Sequence, residues 1–467
     1  MKNISCLLLA SCILIFLHTS CKKDSFITSP DARVRLSADS VKFDTVFTTT
    51  GSVTRSFKII NENDQRLKLT RLKLAGGPAS AFKININGIA GIEATNLDIA
   101  ANDSIYVFVS VRVDPSLANL PFVIADSISI EYNSRQRWVQ LEAYGQNARF
   151  MSAATISGNT TWTNDLPYVI LGSLTVSPAA TLTINPGTKI YSHANAPTIV
   201  DGSLVANGTA LSPIIFTGDR LDEPYKNLPA SWPGLIFRSA SNNNLLRFTQ
   251  IKNAYQAIVV LGPASGTNPK LILRQCHIDN AYSAGIFCSN SSVQAQNLLI
   301  SNSANNIFIE SGGTYLFTHC TTASYSNNYI LHKTPVLTVL NGAQNGNPGS
   351  QPLQAAFTNC IFWGDNGFIE NEIAVNKQGT SSFSLTFDHC IYKAPSPPAN
   401  ATFIMSVQNQ DPLFDSIDNN NRYYDFRQNK ATNAPGVNKG KVTSVLIDLD
   451  NKPRNVGLPD MGCYEKQ

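Results

Sequence analysis

The chain has 467 residues, enough for two or three domains with cores of their own. Hydrophobic residues make up 43% and charged residues only 15%; runs of Thr, Ser, Asn and Gly, with Glu and Lys sparse, favour strands and turns over helices. The formal net charge of +4 falls to +3 without residues 1–20, which hold Lys2 and no acid; spread over this length, it excludes a nucleic-acid footprint.

Lys2 precedes the apolar run ISCLLLASCILIFLH, of export-signal length and short for a membrane span. The run ends at Ser20-Cys21-Lys22-Lys23-Asp24, small residues before a cysteine and then an abrupt polar switch. This junction resembles the lipobox of bacterial lipoproteins, and CKKD resembles the mature start of Bacteroidota lipoproteins. The resemblance implies a signal peptide over 1–20, acylation of Cys21 and a tether over 21–34. His18 replaces the usual apolar residue, with Leu17 one step further. Leu9-Ala10-Ser11-Cys12 matches locally, but it leaves too short an apolar stretch before it and an apolar tail after it. An uncleaved membrane anchor is the alternative. Two or more acyl chains bind a bilayer stably, so the expected place is the outer membrane, on its cell-surface or periplasmic face.

From Arg35 to about Ala148 the pattern has period two. Ile105, Val107, Val109, Val111 and Val113 share one face, and Leu67–Thr70, Leu72–Leu74, Phe82–Ile86 and Ile128–Ile130 alternate likewise. Turn signals at 75–78, Asn87-Gly88 and Asn102-Asp103 separate them, predicting seven to nine strands in an antiparallel, immunoglobulin-like β-sandwich over 35–148. The order FDTVFTTTG, FKIINEN, AGGPASAFKININGIAG, LEAYGQNA resembles the sandwich module ahead of β-helices in exported Bacteroidota proteins, which implies a spacer.

Beyond Ala148 short strands follow at close intervals, and then repeats. LRFTQIKNAYQA from Leu246 and LRQCHIDNAYSA from Leu273 match with an offset of 27. Steps of 22, 22, 40 and 30 lead from Cys276 through Leu298, Cys320 and Cys360 to Cys390, the long steps coinciding with the polar insertions 341–351 and 376–382. A stretched repeat of about 22 residues without helices is the mark of a parallel β-helix. The segment resembles the right-handed parallel β-helix family over 150–440, implying about a dozen coils and a rod on the order of 50–60 Å long. DLDNKPR (448–454) and PDMGCYE (459–465) resemble the C-terminal closing segment of bacterial β-helix surface proteins, here 441–467. The fold class is therefore read as all-β, a sandwich followed by a right-handed parallel β-helix.

The column Gln275, Asn297, His319, Asn359, His389 is uniformly polar, which suits a tight bend whose side chains bond neighbouring backbone. The next column, Cys276, Leu298, Cys320, Cys360, Cys390, accepts Leu as readily as Cys and reads as inward packing, not as a metal or nucleophile site.

Two loops carry candidate chemistry. Asp365, Glu370, Glu372 and then Asp388 are the acids that a polysaccharide lyase or glycoside hydrolase on the β-helix flank would use. Calcium would be needed only for the lyase; no cofactor or metal site is otherwise expected. TGDRLDEPYKNLPASW (217–232) gathers Asp219, Arg220, Asp222, Glu223, Tyr225 and Trp232, a mixture suited to binding a polysaccharide or cell-envelope glycan. The expectation is an anchored envelope lipoprotein with a binding or structural role, the enzyme being the alternative; partners are the membrane and a glycan, not nucleic acid.

Overall fold

The computed structural model describes residues 25–47, 51–114, 122–343, 349–365, 367–430, 432–454 and 457–467. The chain divides into two compact units, Met1–Asn147 and Ala148–Gln467.

In the first unit strict alternation becomes strand: Ser104–Val111 buries Ile105, Val107, Val109 and Val111 and turns the residues between them outward. Ten strands form two five-stranded sheets. One runs Val34–Leu36, Arg55–Asn61, Ser104–Val111, Phe82–Ile86, Ile89–Gly91; the other Ser40–Phe47, Arg135–Gln146, Phe122–Tyr132, Leu67–Leu74, Glu93–Ile99. Both contribute to a single core, in which Phe43 of one sheet meets Phe82 of the other at 6.0 Å between ring centroids. One pair departs from the antiparallel expectation: Ser40–Phe47 runs parallel to Arg135–Gln146. Only Ser37–Asp39 separate Val34–Leu36 from Ser40–Phe47, so the chain changes sheets at that edge without a hairpin.

The second unit is a parallel β-helix: one sheet of 26 strands, Arg149–Ile156 to Val407–Gln408, whose neighbours are all parallel. Each coil has three strand positions, first, second and third in chain order, except the last, which has only the second and third, Thr402–Ile404 and Val407–Gln408. The register Arg247–Arg274–Gln296–Thr318–Thr358–Asp388 steps by 27, 22, 22, 40 and 30 residues, the spacing of the sequence repeats. Ten second-position strands stack, Thr160–Trp162 to Thr402–Ile404, against the dozen coils expected. The helix also ends at Gln408 rather than near 440; the next strands, Ser416–Asp418 and Tyr423–Asp425, form an antiparallel hairpin. Inside, Leu246, Leu273, Ala295, Phe317, Phe357, Phe387 and Phe403 align in one column. Burying each large side chain contributes about 1.5–3 kcal/mol.

After the second strand, Gln275, Asn297, His319, Asn359 and His389 have φ of 49°, 50°, 54°, 56° and 55°, a left-handed column. A non-glycine residue there costs on the order of 1 kcal/mol, which local hydrogen bonds offset. Turning the chain there sends the next residue inward, so Cys276, Cys320, Cys360 and Cys390 are free and buried, their thiols against strand carbonyls. A second ladder follows the third strand: Asn253, Asn280 and Asn302 have φ of 62°, 58° and 51°, and the Asn280 amide donates to Asn253 Oδ1 at 2.7 Å.

Residues 441–454 and 457–467 lie along the side of the coils. Met461 and Cys463 pack on the outward Leu299, Ala323, Ile361 and Ile391. Asn297 and Asn359 donate to the Ile447 and Lys441 carbonyls at 2.7 and 2.8 Å. His319 donates from Nδ1 to the Asp460 carbonyl at 3.1 Å and accepts at Nε2 from Asn359 at 3.0 Å. The bend column is thus also a docking strip for the chain's own C-terminus.

Candidate functional site

Three of the four flank acids already hold partners of their own. Asp388 ends a second-position strand and binds His389 Nδ1 and the Lys441 ammonium, both at 2.6 Å. Against the upward pull of burial, the hydrogen bonds from Lys441 and His389 hold its carboxyl below the ordinary value, unlike a general acid at neutral pH. Asp365 lies beyond the third strand of the preceding coil, roughly 20 Å along the chain from that coil's own bend at Asn359, at about 3.3 Å per residue. It accepts from the Ser326 amide at 2.8 Å. Glu372 is fully buried, its two oxygens 2.9 and 3.0 Å from His332 Nε2. Gly364 makes room for this pair, since a Cβ there would stand 2.2 Å from Glu372 Oε1. Glu370 alone is exposed. Glu372 is closed to solvent and Asp388 is already engaged by His389 and Lys441, so neither is presented as a free member of the carboxylate pair a hydrolase needs.

The 217–232 loop divides. The Arg220 guanidinium donates to both Asp222 oxygens at 2.8 and 2.9 Å and lies 3.8 Å over the Tyr225 ring. Asp219 turns aside to His193 Nδ1 at 2.7 Å. Trp232 is not on the surface: it is fully buried, stacked on Phe216, its indole N–H donating to the Lys252 carbonyl at 2.9 Å. Its place in the coil register, between buried Ala254 and Phe216, takes it inward, so it is removed from the binding set.

The loop is pinned where it matters. Asn253 and Asn280 donate to the Lys226 and Asn227 carbonyls at 2.8 and 3.0 Å, so the segment carrying Tyr225 rests on the second ladder. Immediately after this ladder Ala254 and Ala281 go inward, and Tyr255 and Tyr282 therefore point out. An offset of 27 residues places them on adjacent coils, and their rings stack at 5.8 Å and 26° while 48% and 51% exposed. Tyr225, on the loop pinned to the same ladder, is 43% exposed. Sequence reasoning noted the repeated Asn-Ala-Tyr but missed its meaning; the tyrosine one residue past an inward alanine was the available signal.

The outward column of the first face is apolar over five coils, Ile199, Ile236, Val259, Phe287 and Phe308, with Phe287 and Phe308 stacked at 5.6 Å. It offers no acid. Among the described residues no three His, Cys, Asp or Glu side chains gather as metal ligands would, and no helix is long and apolar enough to cross a membrane. Cys21 lies outside the described residues.

Fold and surface together define a parallel β-helix protein with a β-sandwich ahead of the helix. Residues 154–258 match the family described as a pectate-lyase-like β-helix domain. No curated protein matches the chain. Among solved structures, a family 123 glycoside hydrolase from Clostridium perfringens aligns at 10% identity over 27% of this chain and 26% of its own, with a TM-score of 0.19. This chain thus spans about a quarter of that enzyme's length. An ASH/PapD-like domain of human CEP192 aligns at 12% identity over 26% of this chain and 89% of its own, with a TM-score of 0.18.

Proposed function

We propose that this protein is a lipid-anchored envelope protein that binds glycan through the edge of its β-helix and does no chemistry on it. The observation that carries the reading is the exposed, stacked pair Tyr255–Tyr282, together with Tyr225 and Arg220 on the loop pinned to the same ladder. Flat aromatic faces held rigidly at coil spacing suit the C–H faces of successive sugar rings, and the neighbouring guanidinium and carboxylate supply hydroxyl partners. A pectate-lyase-like match over 154–258 supports a carbohydrate setting, whereas acids already taken up by His332 and Lys441 support binding rather than cleavage.

Affinity electrophoresis of the full chain through gels containing soluble polysaccharides tests this. At least one polymer should retard the protein, and Tyr255→Ala with Tyr282→Ala should weaken retention by about tenfold, the range for losing two aromatic contacts of about 0.5–1.5 kcal/mol. Retention that ignores both substitutions, or the appearance of new reducing ends or unsaturated products, would sink the reading.

A further inference from the structure

A cavity of 490 Å³ opens on the opposite side of the first-face strands from the tyrosine pair, where first strand turns into second. Its floor is set by strand alternation. Val293 and Ala295, and Tyr315 and Phe317, go inward, which leaves Ser292, Gln294, Thr314 and Leu316 outward. The register pairs Ser292 with Thr314 and Gln294 with Leu316. Two residues along a strand and one strand across measure about 6.6 Å by 4.8 Å, a patch the size of one sugar ring. The 263–269 loop and Pro352 form the walls.

That loop is braced at its neck. Lys270 is fully buried, and its ammonium donates to the Leu261, Ser239 and Arg238 carbonyls at 2.6, 3.0 and 3.3 Å. Its amide donates to Ser292 Oγ at 2.9 Å, tying the neck to the floor. At Gly262, with φ of +71°, a Cβ would come within 2.8 Å of Ser239 Oγ, so only glycine lets the loop leave this close to the preceding coil. A wall held from both ends is preorganised and loses little entropy on binding.

Among the described residues no charged side chain lines the cavity; amides, hydroxyls, prolines and a few aliphatic side chains do. The nearby ammonium, Lys270, is spent on carbonyls beneath the surface. Anionic sugars are held by Arg or Lys forks, so the chemistry here selects against them. We infer that this cavity is a second binding site and takes an uncharged sugar unit, not a uronate. The site lies apart from the tyrosine pair, so either can fail without the other.

Saturation-transfer NMR and calorimetry on the full chain, with neutral trisaccharides of glucose, mannose, xylose and N-acetylglucosamine against trigalacturonate, test it. At least one neutral trisaccharide should bind and trigalacturonate should not. Gln294→Ala should weaken binding by about tenfold, the loss of one buried neutral hydrogen bond, and Leu316→Glu should abolish it. Tyr255→Ala with Tyr282→Ala should leave the trisaccharide affinity unchanged. Should Leu316→Glu fail to fold by circular dichroism, Thr314→Ala carries the same expectation as Gln294→Ala. Absence of binding by every neutral trisaccharide, equal affinity for trigalacturonate, or indifference to the floor substitutions in folded protein would each overturn the assignment.

Discussion

Arg454 and Glu465 are 2% and 0% exposed at the side chain, 3.0 Å apart, in the two motifs of the C-terminal segment. Arg454 also donates to Asn297 Oδ1 at 2.8 Å and the Gly462 carbonyl at 3.1 Å, so one guanidinium ties the terminus to the bend ladder. Arg454→Met would leave Glu465 buried and unpaired, a loss of about 3–5 kcal/mol, read as a lower thermal midpoint. Burial, with the Asp460 charge adding to it, pushes Glu465 up to about 7 from 4.5. The folded state then holds a proton that the unfolded state has released. Its stabilisation is complete below pH 4.5 and is lost as pH rises through about 7. His319 acts in the opposite direction: burial, and then Arg454, push it down to about 2 from 6.5, so it costs stability as pH falls below 6.5. Melting curves from about pH 4 to 9, on the order of one unit per step, should show a decline toward alkaline pH that flattens in Glu465→Gln. An unchanged profile in that variant would contradict the sign of this linkage.

At the scale of one stacked column, Phe317, Phe357, Phe387 and Phe403 follow at 5.1, 5.1 and 4.7 Å between rings, the nearest approach that adjacent coils allow. Phe357 has a ring above, a ring below and Phe362 edge-on at 5.3 Å, whereas Phe403 is only partly buried. Phe357→Ala should therefore cost about 3–5 kcal/mol and Phe403→Ala clearly less, measured as urea midpoints at constant slope. Equal losses would mean that the column does not pack as a unit. The cysteine column beside it needs no chemistry to explain it. Burial pushes the Cys276 thiol up to about 12, far from a reactive thiolate, with carbonyls as its sulfur contacts.

For the whole molecule, the proposed anchor decides where the binding surfaces work. Metabolic labelling with a palmitate analogue should mark the intact protein and fail in Cys21→Ala, which should also move from the membrane to the soluble fraction. Labelling that persists in the variant would remove the lipoprotein assignment and leave the uncleaved apolar segment as the anchor. Each unit has its own hydrophobic cluster, so substitutions in the β-helix core should leave the sandwich folded in proteolysis.

Periodicity and repeat spacing were sufficient for the architecture, because both report on backbone geometry. Alternation puts Ile105 to Val111 on one face whatever they pack against, and a repeat stretched by loops still returns Arg247, Arg274 and Gln296 to one register. Bend chemistry was equally legible at Gln275, Asn297, His319, Asn359 and His389, since a left-handed turn makes the same local demand in every coil. Surface was not legible. Trp232 read as an available aromatic and is fully buried, whereas Tyr255, which the sequence reading passed over, is about half exposed. Glu372 read as a candidate acid and is sealed against His332. Which side of the coil a loop residue faces depends on the coil before it, and only the tertiary structure brings the two together.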